Sequence, residues 1–221
     1  MDFFKNIYVI NLDRRKDRWA EVQGELQKLG IQQRAQRISG VDLGSHPGCT
    51  ASHKKFLDLA IQNGSGASLV IEDDAQIMSD WQESLHNGLK RLPDDWDILY
   101  LGYNLDPHSP STIPPNFIGY NLIQLFGCLT THMYAVNCNR LDRIKAFREY
   151  MDKYSSIIQI DMLFLTIILT HQFKTYGIYP MVAVQRAGFS DISNHAVTYS
   201  LKEHVDMVLR DHNKFSTRPP Q

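Results

Sequence analysis

Leu69-Val70-Ile71-Glu72-Asp73-Asp74 carries three apolar residues straight into three consecutive acids, after which Ala75 returns to apolar character. A buried strand does not ordinarily end this way, because burying one uncompensated carboxylate costs several kcal/mol. Three carboxylates at a strand's end are stable only where they face water, basic side chains or a cation. Glu72 and Asp74 are two residues apart, so on an extended chain they point the same way. Such a pair of hard oxygen donors suits Mg²⁺ or Mn²⁺, ions that also hold substrate phosphates. A solvated acidic turn is the plainer reading of an isolated acidic triplet. Here the abrupt apolar approach and the neighbouring motifs favour a site for metal and nucleotide.

Working outward, strands alternate with helices. Residues 6–12 read as a central strand. Asp13 then caps a helix reaching Leu29, in which Trp19, Val22, Leu26 and Leu29 recur at helical spacing and which Gly30 stops. Residues 36–41 read as a short strand before a glycine-containing loop, 44–48. A second helix opens at Thr50 or Ser52 and ends at Asn63-Gly64. Ser79 and Gln82 read as a capping box for a third helix bearing Trp81, Leu85, Leu89 and Leu92. Residues 97–101 form another strand. This alternation predicts an α/β fold with a mixed, mostly parallel central sheet flanked by helices.

Beyond residue 102 the rhythm breaks. Residues 103–119 contain four prolines and read as a long functional loop. Strands follow over 121–126 and 132–137, helices over 139–153 and 161–171, an extended segment over 173–184 and a last helix over about 200–214. The chain reads as a single domain spanning 1–221, with a nucleotide-binding half to about residue 102 and an acceptor half over about 103–215.

The formal net charge of −1 supplies no basic field to hold a nucleic-acid backbone. Cys49, Cys128 and Cys138 are widely spaced and include no CxxC pair, which argues against a zinc cluster and a disulfide framework and for small buried thiols in a reducing compartment. The longest apolar stretch, 157–169, carries Gln159 and Asp161 and falls short of the ~20 residues of a membrane span. With no integral membrane segment and no signal peptide in view, the expected location is cytoplasmic.

Ligands of open α/β sheets lie at the carboxyl ends of parallel strands. The acids at 72–74 occupy such an end, and so does Asn11-Leu12-Asp13-Arg14-Arg15-Lys16-Asp17-Arg18. Arg14 and Arg15 at a helix start oppose the helix dipole. A phosphate gripped by a guanidinium would relieve that conflict. In Gly48-Cys49-Thr50-Ala51-Ser52-His53, Gly48 frees the backbone while Ser52 and His53 stand at a helix start, a natural anion site. Neither G-x-x-x-x-G-K-[ST] nor G-x-G-x-x-G occurs, which removes the P-loop and the dinucleotide fingerprint.

These pieces, in this order, resemble the motifs of glycosyltransferase family 25. They are Ile7-Tyr8-Val9-Ile10-Asn11-Leu12-Asp13-Arg14-Arg15 with Arg18, Gly48-Cys49-x-x-Ser52-His53, and the apolar run into Glu72-Asp73-Asp74. Thr131-His132-Met133-Tyr134-Ala135-Val136 occupies the place of the family's central strand, and Asp161 heads a helix as the family's later acid does. Tyr179-Pro180 through Gln185 to Ser190-Asp191-Ile192 is similar to its closing motif. The pair His132-Met133 departs from the smaller residues common in relatives. The resemblance implies a GT-A-like nucleotide-sugar fold, a UDP-hexose donor giving up galactose or glucose, and Mn²⁺ (or Mg²⁺) on the diphosphate. It also implies a hydroxyl acceptor on a glycan, glycolipid or hydroxylysine-type residue, and inversion at the sugar. Under it Asn11, Arg14, Arg15, Ser52, His53, Glu72 and Asp73 contact the donor, and Glu72, Asp74 and His195 hold the metal. Asp161 is the base, or simply a helix cap, and Gln185 and Asp191 meet the sugar or the acceptor. A glycosyltransferase-like nucleotide- or glycan-binding module without catalysis is the alternative. A metal-dependent nucleotidyltransferase or phosphohydrolase would need the same strand-end carboxylates.

Overall fold

A computed structural model describes residues 1–105, 108, 113–156, 158–170, 172–191, 195–199 and 201–216, with side chains at all of these but 45, 190, 201 and 211–216. The first half of the chain comprises β1 (Phe4–Asn11), α1 (Lys16–Lys28), β2 (Ala35–Ser39), α2 (Ser45–Asn63), β3 (Ala67–Glu72), β4 (Ala75–Ile77), α3 (Trp81–Leu89) and β5 (Ile98–Asn104). Next come β6 (Asn116–Gly119), β7 (Leu122–Leu125), β8 (Leu129–Asn137), α4 (Leu141–Tyr154) and α5 (Ile160–Thr170). The chain closes with β9 (Thr175–Ile178), β10 (Ala183–Gln185), β11 (Gly188–Ser190), β12 (His195–Val197) and α6 (Leu201–Ser216). Residues 106–107 and 109–112 of the expected loop, and Ile192 of the closing motif, lie outside the described residues.

Eight strands form one sheet in the order β2-β1-β3-β8-β5-β9-β7-β6. β8 and β7 run against the other six, so the sheet is mixed with most strands pointing one way. β3 is buried on both faces, which explains its unbroken apolar run. Helices α2, α4, α5 and α6 pack on one face around Phe56, Tyr134, Phe147 and Phe164. Helices α1 and α3 cover the other through Val22, Leu26 and Leu85. Among the described residues no helix is long and apolar enough to cross a membrane.

The strand–helix alternation and the glycine stops follow the sequence: Gly30 and Gly64 both take the left-handed conformation that ends a helix. The helix starts do not. Asp13 does not cap α1, whose N-cap is Arg15; its carboxylate accepts a hydrogen bond from Ser39 at 2.5 Å and pairs with Arg37 at 2.8 Å. The Ser79–Gln82 capping box is also absent, since α3 starts after Asp80 with no side-chain cap bond. α2 begins at Ser45, not at Thr50 or Ser52, so the expected glycine loop is its first turn. Pro47 is tolerated there because first-turn N–H groups have no helical partner. The two later strands expected around Gly127-Cys128 do not pair with each other: β7 joins β6 and β9, and β8 slots between β3 and β5.

Candidate functional site

Parallel pairing sets Ile10 of β1 opposite Glu72 of β3. The chain leaving Asn11 and the turn at Asp73-Asp74 therefore emerge side by side. β8 runs antiparallel along β3 with Met133 opposite Ile71, which brings Thr131 to the same end. Glu72 closes the strand and the next two acids form a turn, so turn geometry rather than strand alternation puts Glu72 and Asp74 on one cleft.

The three acids have different partners. Glu72 Oε1 accepts a hydrogen bond from Thr131 Oγ1 at 2.7 Å and lies 3.2 Å from His53 Nε2. Burial opposes its charge, yet His53 and Thr131 hold its carboxyl below the ordinary value. Asp73 accepts from Asn11 Nδ2 at 2.6 Å and from Arg18 at 3.0 Å, and burial still raises it. Asp74 is the least compensated. Arg18 stands 3.5 Å from its Oδ2, while its Oδ1 is buried without a hydrogen bond. Burial first, and the Glu72 charge second, push its carboxyl up to about 7.

Arg14 and Arg15 reach the same mouth, where a carboxylate meets them. Arg14 pairs with Asp42 at 2.7 Å and with Asp191 at 2.8 Å; Arg15 pairs with Asp17 at 2.7 Å and also with Asp191. Burial opposes the Asp191 charge, but the two guanidiniums hold that carboxyl below its ordinary range.

Ser52 and His53 do not stand at a helix start as expected, because both lie inside α2, past its first turn. Ser52 instead donates to the Gly48 carbonyl at 2.7 Å and accepts the Val41 N–H at 2.8 Å, tying the 41–43 loop to the helix where it lines the cleft. His53 is fully buried, its Nδ1 3.0 Å from Tyr134 Oη. Cys49, one helical turn earlier, is the thiol that departs from the buried-structural reading: its ligand atom and those of His53 and Glu72 all lie within 4.8 Å of one another. This triad shares only Glu72 with the metal trio expected from the sequence. Asp74 lies beside it on the cleft, whereas His195 is exposed on the β11–β12 ribbon with its Nδ1 facing the Ala196 carbonyl at 2.9 Å.

Asp161 is the second residue of α5, inside the helix rather than its cap. It accepts the backbone N–H of Thr130, a residue held at φ 72°, and its carboxyl is raised by burial and then by the Glu72 charge. β10 pairs with β4 so that Gln185 opposes Ala75, which directs Gln185 to the cleft with its Oε1 buried and unpartnered. His132 is a core residue: its Nε2 lies 3.3 Å from the Ala183 carbonyl, and burial lowers it to about 4.

Three contributors had no role assigned from sequence. Arg18 bridges Asp73, Asp74 and the Phe189 carbonyl (2.7 Å), and its spacing of three from Arg15 on the first helical turn was the available signal. Arg186 donates its backbone N–H to the Asp74 carbonyl and its guanidinium to the Asp73 carbonyl, both at 2.8 Å, pinning the turn. Tyr199 lines the cleft, and burial pushes its phenol up to about 12 with the Asp74 and Glu72 charges adding to the shift.

The chain has fold counterparts among solved structures. It is similar to a glycosyltransferase involved in the glycosylation of the major capsid of PBCV-1, with a TM-score of 0.51 at 11% identity over 91% of this chain and 99% of that one. The fold is GT-A-like. A protein from STIV matches with a TM-score of 0.46 at 14% identity over 88% and 93% of the two chains. UDP-glucose pyrophosphorylase complexed with UDP-glucose matches at 0.43 and 8% over 94% and 81%. No protein-family description and no curated protein matches the sequence. The GT-A-like frame places the acid turn at the carboxyl end of a parallel strand, where open α/β sheets bind their ligands.

Proposed function

We propose that this chain is a metal-dependent hexosyltransferase of the family 25 type, moving galactose or glucose from a UDP-sugar to a hydroxyl with inversion. The observation that carries the proposal is Asp74: a cleft-lining carboxylate with one buried oxygen unpartnered and its acidity weakened to about 7. Such a group lacks positive charge, and the hard oxygens of Glu72 and Asp74 fit a divalent ion. When bound there, Mn²⁺ or Mg²⁺ supplies the charge that neutralises the departing diphosphate.

The chain's own residues do the rest. Asn11 and Arg18 fix Asp73, and Arg186 fixes the turn that carries it. Arg14 and Arg15 exchange the Asp191 carboxylate for donor phosphate, keeping the same charge-assisted geometry. Gln185 Oε1 accepts a sugar or acceptor hydroxyl. Asp161, whose raised carboxyl is better matched to a proton acceptor working near neutral pH, takes the acceptor's hydroxyl proton. The acceptor oxygen bonds the anomeric carbon as the bond from that carbon to the diphosphate oxygen breaks. Residues 1–102 carry most of the donor contacts and 103–215 the base and acceptor contacts.

A screen of common UDP-sugars with Mn²⁺, read as UDP release, tests the proposal. One donor should turn over; Asp74→Asn should abolish the metal-dependent rate, and Asp161→Asn should lower kcat by about 10²–10⁴. Wild-type turnover in Asp74→Asn removes the assignment. Release of UMP or pyrophosphate in place of UDP would put the attack at phosphorus and replace sugar transfer by nucleotide chemistry.

A further inference from the structure

We infer that Cys49, His53 and Glu72 form a separate, thiolate-containing site for a zinc-class divalent ion, opening into the cleft. The acid turn offers hard oxygens only. This trio adds a sulfur and an imidazole nitrogen, the donors that select Zn²⁺ or Co²⁺ over Mg²⁺. Cys49 and His53 stand four residues apart on α2 and so share a face, and Glu72 reaches that face from the end of β3. Their ligand atoms lie within 4.8 Å of one another, and His53 Nε2 is already 3.2 Å from Glu72 Oε1. Side-chain rotations of about an ångström bring such atoms to the bonds of about 2.0–2.3 Å that zinc makes with nitrogen, oxygen and sulfur.

The surroundings supply a second observation. Ligating imidazoles donate their other ring N–H to a fixed partner, and ligating carboxylates are themselves hydrogen-bonded. Tyr134 Oη lies 3.0 Å from His53 Nδ1, and Thr131 Oγ1 donates to Glu72 at 2.7 Å. With Nδ1–H turned to Tyr134, the Nε2 lone pair faces the ion. Tyr134 is wholly buried and its ring stacks on His53 at 5.6 Å, which fixes the imidazole plane. Three protein ligands leave a fourth position, and since Cys49 and Glu72 both line the cleft, that position faces it. Glu72 belongs to both sites, so a zinc-class ion on the trio withdraws Glu72 from the acid turn. Inhibition of sugar transfer by that ion rests on the function proposed above; the binding itself does not.

The test is a Co²⁺ titration of the purified chain in reducing buffer without donor. The expected result is a saturable thiolate-to-cobalt charge-transfer band at one equivalent, bleached by Zn²⁺. Cys49→Ser should lose the band while keeping its circular dichroism, and His53→Gln should weaken cobalt binding by more than the about 10–100-fold that loss of an outer-shell partner costs. In the unmutated chain, Zn²⁺ should slow N-ethylmaleimide labelling of Cys49, read on its peptide by mass spectrometry. A band that survives Cys49→Ser overturns the inference, as does the lack of any band together with unchanged Cys49 labelling. A thiolate band in a chain that turns over no UDP-sugar keeps this site and removes sugar transfer; Mn²⁺-dependent turnover without a band, with labelling indifferent to Zn²⁺, does the reverse.

Discussion

Asp191 stands where a phosphate is expected. Its carboxylate joins Arg14 and Arg15 at the mouth of the cleft, and the chain carrying it is further tied down by Arg18 on the Phe189 carbonyl. A donor diphosphate must displace it, so the intramolecular pair competes with the ligand. Arg15 and Asp191 are each only 15% exposed, whereas Arg14 is half exposed and screened, so the pair as a whole contributes about 1 kcal/mol. Asp191→Asn should therefore tighten UDP binding by about fivefold in calorimetry with Mn²⁺ present. Weaker binding in that variant would show that Asp191 contacts UDP itself and does not compete with it. The residue types of this site were legible in the sequence, since arginines at a helix start and acids at a strand end each contradict ordinary placement. Their pairing was not. Arg15 and Asp191 are separated by 176 positions, and no local pattern announces that one neutralises the other.

At the level of elements, two helical glycines separate what local pattern reveals from what packing decides. Gly24 lies within α1 with open space where a Cβ would be, so Gly24→Ala should stabilise the chain by about 0.5–1 kcal/mol. Gly48 lies in α2, where an added Cβ would overlap the Val41 carbonyl and stand 3.1 Å from the Leu43 nitrogen. Backbone cannot swing aside as a side-chain tip can. Gly48→Ala should cost about 1–3 kcal/mol in urea denaturation and release the Val41–Ser52 hydrogen bond. Equal stability of Gly48→Ala and the parent would mean that the 41–43 loop moves freely. This close approach is why the start of α2 was unreadable: Gly44, Pro47 and Gly48 have loop composition, and only the loop packed on them gives that composition its meaning. The Cys49–His53 spacing was present in the sequence, but the third ligand arrives from a strand end nineteen positions further on. By contrast, the strand–helix alternation to residue 101 was legible because burial on one face of each helix imposes its period directly. The antiparallel insertion of β8 between β3 and β5 leaves no such periodic trace.

For the whole molecule, burial sets two titrations in opposition. Asp74 is raised from 3.8 to about 7 in the folded chain. Between about pH 4 and 7 the folded state holds a proton there that the unfolded state has lost, so this contribution to stability falls as pH rises. His132 is lowered from 6.5 to about 4 by its burial. Between those values the unfolded state holds the extra proton, so the His132 contribution rises with pH and is lost as pH falls. At about 1.4 kcal/mol for each tenfold change in proton affinity, these give opposing spans of about 4 and 3.5 kcal/mol as upper limits. Asp73 and Asp161 are raised as well and reinforce the sign of Asp74. Thermal melts of metal-free protein should therefore be nearly level or gently falling from pH 4.5 to 6.5, then drop between 6.5 and 7.5 where His132 no longer compensates. Asp74→Asn should turn the first interval into a rise, because the histidine slope is then less opposed. Mn²⁺ binds the ionised carboxylates, so it should raise the melting temperature more at pH 7.5 than at pH 5.5 and restore what the drop removed. An unchanged pH profile in Asp74→Asn, with a Mn²⁺ effect equal at both pH values, would mean that the acid turn is already neutralised by Arg18 and Arg186 and has no vacancy of charge for an ion to fill.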